Sequence, residues 1–183
     1  MKKADEARLK KIHMLTLAFA IAFLPPFWAV LSPYVGVRTG AVALIVAGLY
    51  ATNGNRRKDA VKITLGFLLG DLFSVTAIWF IENLPFSADI NTYLILFVLG
   101  AAAVLIGETL PGLVFTPALL SGWAIGLTIM APLGTSAMGT LPLQIAAAMV
   151  AGVLYVGIGV DLFQKWLVRL IIKEDSEDPS DAS

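Results

Sequence analysis

The stretch NRRKDAVK (55–62) followed by ITLGFLLGDLFSVTAIWFI (63–81) decides the fold. Four basic residues, Arg56, Arg57, Lys58 and Lys62, stand directly before nineteen residues of which only Asp71 is charged. About 20 predominantly apolar residues suffice for a helix to cross the hydrocarbon core of a bilayer. Short basic flanks of such helices stay on the cytoplasmic side. The stretch therefore predicts a membrane span, Ala60–Ile81, whose N-terminal end lies inside.

Outward from this stretch the pattern repeats. Twelve of the thirteen Lys and Arg residues fall in three clusters. Lys2, Lys3, Arg8, Lys10 and Lys11 lie at the start, Arg56–Lys62 in the middle, and Lys165, Arg169 and Lys173 near the end. Six apolar segments fit between and around them: Met14–Leu31, Tyr34–Thr52, Ala60–Ile81, Asn91–Gly107, Leu113–Ala131 and Pro142–Ile172. Six spans with both termini inside put all twelve clustered cations on one face. The connections at 82–90 and 132–140 carry no Lys or Arg and fall outside. A five-span chain would strand one cluster on the wrong face. Four spans with two re-entrant segments keep the parity. Pro25-Pro26, Pro117 and the short fourth segment suit that variant, because broken backbone is tolerated where protein or a cavity surrounds it. The expected fold class is an all-α polytopic helix bundle.

Composition agrees. Apolar residues make up 58% of the chain and charged residues 14%, against about half and about a quarter in soluble domains. The expected organisation is a basic cytoplasmic N-terminus (1–13), a transmembrane domain (14–172) and an acidic disordered cytoplasmic tail (173–183). The basic start and the apolar run from Met14 resemble a signal peptide. The run continues to Leu31 and further spans follow, so a retained first helix is expected. The sixth segment is roughly 46 Å long as a helix, longer than the hydrocarbon core. Its last turns should therefore reach the inner interface, with Lys165, Arg169 and Lys173 on one face and Trp166 among the headgroups. Asp161 precedes Lys165 by four residues, the spacing of a helical ion pair.

Chemistry has few carriers. Cysteine is absent and His13 is the single histidine, so no metal site and no cofactor are expected. No basic stripe combines with exposed aromatics, so nucleic acid is not an expected partner. No nucleotide-binding, zinc-protease or serine-hydrolase motif occurs, and no enzymatic activity is expected. Asp71 is the sharpest residue. A charge near the bilayer centre is expensive and usually faces a bundle interior or a wet cavity. Thr64 and Ser74 share its helix face. These three predict either a polar solute path with a protonatable group, or an interhelical hydrogen bond. Glu108 and Thr109 precede Leu110-Pro111-Gly112, where freed backbone groups could bind a cation or a solute N–H. The alternative for them is a polar cytoplasmic loop. Arg38 is placed to pair with Glu82 or Asp89 outside, or to snorkel alone. Gly66/Gly70 and Gly122/Gly126 fit close helix packing, as does Gly36/Gly40. The runs Phe23–Phe27 and Thr109–Leu113, each centred on proline, hint at two three-span halves of opposite topology.

The Trp-containing first span, the basic turn before the third, and the run Leu110-Pro111-Gly112-Leu113-Val114-Phe115 followed by Gly-rich spans ending near Trp166 carry a resemblance. Over roughly residues 14–172 the chain resembles the bacterial inner-membrane family catalogued as domain of unknown function 1097. That resemblance implies an inner-membrane location and no assigned function. The six-span size is similar to that of acid-gated urea and amide channels, by architecture alone. The leading expectation is a passive channel or simple transporter for a small polar solute, urea- or amide-like, working as a homo-oligomer in the lipid bilayer. The alternative is a non-transporting membrane subunit that binds a partner through small-residue helix faces.

Overall fold

The computed structural model describes residues 2–54 and 56–177, with side chains described for 6–54 and 56–172. The described residues are mostly helical, with no strand among them. The helices are α1 (Lys2–Leu31), α2 (Val42–Thr52), α3 (Ala60–Asn83), α4 (Ala88–Thr109), α5 (Thr116–Met130), α6 (Gly134–Ala137), α7 (Leu141–Ala151) and α8 (Gly159–Glu177). A π segment, Gly152–Ile158, joins α7 to α8 into one rod. Four helices are long and apolar enough to cross a membrane: Glu6–Val35, Arg57–Asn83, Ala88–Thr109 and Leu141–Ile172. Val42–Thr52 and Thr116–Met130 are apolar but shorter.

These bounds correct the sequence reading at several points. Pro25 and Pro26 lie inside α1, which is continuous through them. Pro117 falls in the first turn of α5 rather than inside a helix, where a missing N–H leaves no bond unmade. Most of the expected second segment before Val42 is not α-helical. Ser32–Val35 forms a 3₁₀ turn closed by Gly36 at φ 81°, whose N–H donates to Pro33 O. A left-handed residue there ends the turn, and glycine takes that conformation without penalty. α8 is described as far as Glu177. The remainder of the tail expected over 173–183 lies outside the described residues.

α3 and α5 run parallel and almost touch. A Cβ on Gly70 would lie 2.2 Å from Leu119 O, and one on Gly122 would lie 2.5 Å from Phe67 O. Gly66 faces Ala118 and Gly126 faces Ser74 in the same way. Small residues let two backbones approach to this distance. At one end Phe115 N–H donates to Lys62 O (3.3 Å). At the other, Thr135 N–H donates to Glu82 Oε1 (3.0 Å). Between Lys62 and Glu82 lie twenty steps of helix, roughly 30 Å. Phe115–Thr135 thus covers the same height as α3, although α5 alone is shorter.

α2 repeats this arrangement on the rod. Arg38 N–H donates to Gln144 Oε1 (3.0 Å) near one end. Gly152 then meets Val46 and Ala43, and Gly157 meets the Tyr50 ring. α2 therefore runs parallel to the rod. The long first helix of each half packs antiparallel to the same partners. Phe23 and Phe163 rings lie 5.9 Å apart and Trp28 and Tyr155 rings 6.0 Å apart, joining α1 to the rod. Asn91 Nδ2 donates to Ile81 O and Leu84 O, joining α4 to α3. The chain is thus two three-element halves of opposite direction, α1–α2–α3 and α4–α5–rod, each placing its short helix against the other half's long third element. This is the layout of an inverted repeat. The proline runs suggested from sequence are not its equivalent positions. Pro25-Pro26 lies in the last two turns of α1, whereas Pro111 lies in the link before α5, whose counterpart is Ser32–Ala41.

The core fills the space between the third elements and the short helices. Tyr50, Ile63, Phe67, Ile145 and Met149 are fully buried in one cluster. α3 and the rod are the most enclosed long helices; α1 and α4 are peripheral.

Candidate functional site

Asp71 sits nine residues from Lys62 and eleven from Glu82, midway along α3. It is 5% exposed. Phe67 lies one turn toward the Lys62 end, and Val75 and Ile78 lie toward the other, all on its face. Phe67 and Ile78 belong to the core, with Val75 packed against it. An apolar setting thus surrounds the carboxyl. Its Oδ1 is enclosed and has no hydrogen-bond partner. Most buried polar atoms are paired, and an isolated carboxylate in such a place is strongly disfavoured.

A cavity of about 450 Å³ opens at the Glu82 end, lined by Val75, Thr76, Trp79, Thr135, Met138 and Pro142 among others. Val75, the lining residue nearest Asp71 along α3, is one helical turn from it. Glu82 shapes this rim. Its carboxylate accepts from Thr135 N–H and from Thr135 Oγ1, fixing the start of α6. On the opposite side of Asp71, Phe67, Ile63 and Tyr50 are completely buried. Beneath them lies a charged layer that links three elements. Asp161 accepts from Lys165 Nζ and from Arg57 Nη2, each at 2.9 Å. Asp59 pairs with Arg56 at 2.8 Å and with Lys62 at 3.2 Å. Asn53 Nδ2 donates to Asp59 Oδ2 (3.0 Å). The Tyr50 hydroxyl is buried without a partner.

The other sequence candidates scatter. Thr64 Oγ1 donates to Ala60 O (2.8 Å), within its own helix. Ser74 is fully buried, and its hydroxyl reaches Gly70 O (3.1 Å) and Trp123 O (2.8 Å), tying α3 to α5. Both hydroxyls are bonded to backbone carbonyls. Glu108 and Thr109 are exposed at the end of α4, and Thr109 Oγ1 donates to Leu105 O (2.7 Å). The adjacent Gly107 packs on Thr116, beside the Phe115–Lys62 bond. That level is roughly 14 Å along α3 from Asp71, so Glu108 and Asp71 do not meet. Gly66, Gly70, Gly122 and Gly126 pack α3 on α5. Among the described residues Arg38 forms no ion pair, while Glu82 binds Thr135 instead. No group of three metal-binding side chains occurs among the described residues. The Asp161–Lys165 pair was legible from its spacing. Arg57, which joins it from 104 positions away, carries no local signal.

Neither a curated protein nor a solved structure matches the chain. One family model, described as Protein of unknown function (DUF1097), matches residues 18–165. That match covers well over half the sequence, with α2 to α7 complete and Asp71, the cavity at the Glu82 end and the Arg57–Asp161 link inside it. The chain belongs to the DUF1097 family.

Proposed function

We propose that the chain is a simple transporter for a small polar solute in a bacterial inner membrane. It crosses the bilayer six times with both termini and the Arg56–Lys62 layer inside. Parity calls for an even number of crossings, and the heights of the short elements favour six over four. Phe115–Thr135 matches α3 in height, and α2 with its preceding turn runs beside the rod from Gln144 to Gly157. The charge distribution supports the orientation.

The observation that carries the transport reading is Asp71. It is a mid-depth carboxyl with an unpartnered oxygen, one turn below a cavity open to the outer side. Such intramembrane carboxyls mark solute or ion paths. The reading is of a carrier closed at the inner side, since Phe67, Ile63, Tyr50 and the ion-pair layer lie between Asp71 and the inner face. In inverted repeats, sites lie near the midplane between the halves, and one half rocks against the other. Asp71 would contact a solute N–H or carry a proton. The alternative subunit reading depended on small-residue faces free for a partner. The four glycines behind it are taken up within the chain, where they let α3 and α5 meet.

The test is flux into vesicles holding purified protein, screened with urea, amides, ammonium and small carboxylates. Asp71→Asn keeps size and hydrogen bonding but removes the ionisable group. It should change flux or its pH dependence while the protein still assembles. Wild-type flux in Asp71→Asn at every pH, for any solute the native protein carries, would remove Asp71 from the mechanism.

A further inference from the structure

Two hollows lie along α1 and the rod. One, about 220 Å³, is lined by His13, Gln164, Lys165, Val168 and Arg169. The other, about 240 Å³, is lined almost wholly by apolar groups, including Leu17, Ile21, Ala47, Gly48, Ala51 and Val160. His13, Leu17 and Ile21 follow at four-residue steps on α1, and Val168, Gln164 and Val160 do so on the partner rod. Each set shares one helix face. The hollows therefore form one track, cationic past Asp161 toward Arg169 and apolar toward Pro25. Pro25, at the far end of the apolar hollow, lies roughly 18 Å along α1 from His13, close to the thickness of one hydrocarbon leaflet. The two walls are joined at the cationic end, where Gln164 Nε2 donates to His13 O (3.0 Å). Lys165 shares its charge with Asp161 (2.9 Å). Arg169 is exposed and has no ion-pair partner among the described residues.

We propose that this track binds an anionic phospholipid of the inner leaflet. Arg169, Lys165 and His13 receive its phosphate, and one acyl chain lies along Leu17, Ile21 and Gly48. Charge complementarity favours the anionic headgroup: basic pockets between membrane helices on the cytoplasmic side recognise such groups. The apolar continuation favours a lipid over a free anion, because each buried methylene adds affinity only when a chain is attached. Gly48 keeps the groove open. A Cβ there would meet nothing within 4 Å. The proposal rests on the inside location of the basic ends and is independent of transport.

The test is native mass spectrometry of the full chain in detergent, titrated separately with phosphatidylglycerol, phosphatidylcholine and inorganic phosphate. Phosphatidylglycerol should bind at least fivefold more tightly than phosphatidylcholine. Arg169→Gln should weaken phosphatidylglycerol about fivefold, the worth of one basic group near an anionic surface, and leave phosphatidylcholine unchanged. Gly48→Leu should weaken both lipids. Ala51→Leu, also exposed on the groove, repeats that arm should Gly48→Leu not assemble. Equal binding of the two lipids, or an Arg169→Gln variant indistinguishable from wild type, would overturn the proposal. So would inorganic phosphate binding as tightly as the lipid. A lipid-free dimer that Gly48→Leu splits would assign the groove to a second copy and likewise overturn it. Loss of lipid preference with flux intact would fail this proposal alone.

Discussion

The closest backbone approach in the bundle offers the sharpest measurement. In Gly70→Ala the new Cβ would stand 2.2 Å from Leu119 O, 2.5 Å from Trp123 N and 2.9 Å from Gly122 C. All three are backbone atoms, so no side-chain rotation can relieve them. Ordinary carbon contacts lie near 3.5 Å, so α3 and α5 must part by roughly 1 Å, and such a gap forfeits a quarter to a half of each contact's dispersion energy. The separation also stretches the 2.8 Å bond from Ser74 Oγ to Trp123 O. Overpacking of this kind costs about 1–3 kcal/mol. Gly48→Ala is the control, because its Cβ meets nothing within 4 Å. It should be neutral or stabilising by about 0.5–1 kcal/mol, the helix preference for alanine over glycine. The assay is reversible unfolding in mixed micelles as SDS is raised, followed by tryptophan fluorescence. Gly70→Ala and Gly48→Ala unfolding at the same SDS fraction would refute the claim that α3 and α5 are held at backbone contact.

Cysteine labelling from outside intact cells should miss Arg57→Cys and reach a cysteine replacing Thr135; strong outside labelling at position 57 would invert the topology. Ser74→Ala should lower stability by about 0.6 kcal/mol, the mean for interhelical hydrogen bonds in membranes, and leave the solute profile of vesicle flux unchanged. A changed profile would restore Ser74 to the path. Asp161→Asn should cost about 1 kcal/mol rather than several, since both its cationic partners are roughly half exposed and can turn to water; SDS unfolding measures it, and a loss of several kcal/mol would show that the charged layer is shielded from water. Deleting one residue from the π segment should return that turn to α-geometry with α8 still nearly in phase with α7, because a π turn takes up one residue more than an α turn. The Arg57–Asp161 coupling in a double-mutant cycle should therefore survive, and its loss would show that the wide turn sets the phase of α8.

Hydropathy made the long elements legible. The expected span Ala60–Ile81 differs from α3 only at its last two residues, because a basic turn before it and Asn83–Leu84 after it bound an uninterrupted apolar run. The same signal overran α2. Residues 34–41 are apolar enough to lie in a membrane, but Pro33, the left-handed Gly36 and the close approach of Gly40 to Ser32 keep them from helix. Hydropathy reports environment, and backbone form there depends on these contacts. Asp71 was legible as the lone charge in its run. Val75 and Met138, which bring the cavity to within a turn of it, carry no sequence signal, since the cavity exists only once α3 meets the segment after α5. The repeated layout was hinted at from the wrong prolines. The two halves share directions and packing partners but no residue pattern that a single sequence reveals.

The exchange of short helices between the halves bears on how the protein is made. Arg38 finds Gln144 106 positions later in the chain, and Val46 and Tyr50 wait for Gly152 and Gly157. Ribosomes add about 5–20 residues per second, so α2 leaves the insertion machinery roughly 5–20 seconds before its partner exists. Eleven residues cannot cross the bilayer unaided, and until the rod arrives α2 lacks the element it packs against most closely. Membrane insertion must therefore be provisional for the first half and completed by the second. Neither half should persist when synthesised alone, whereas the two made together as separate chains could clasp and restore the whole.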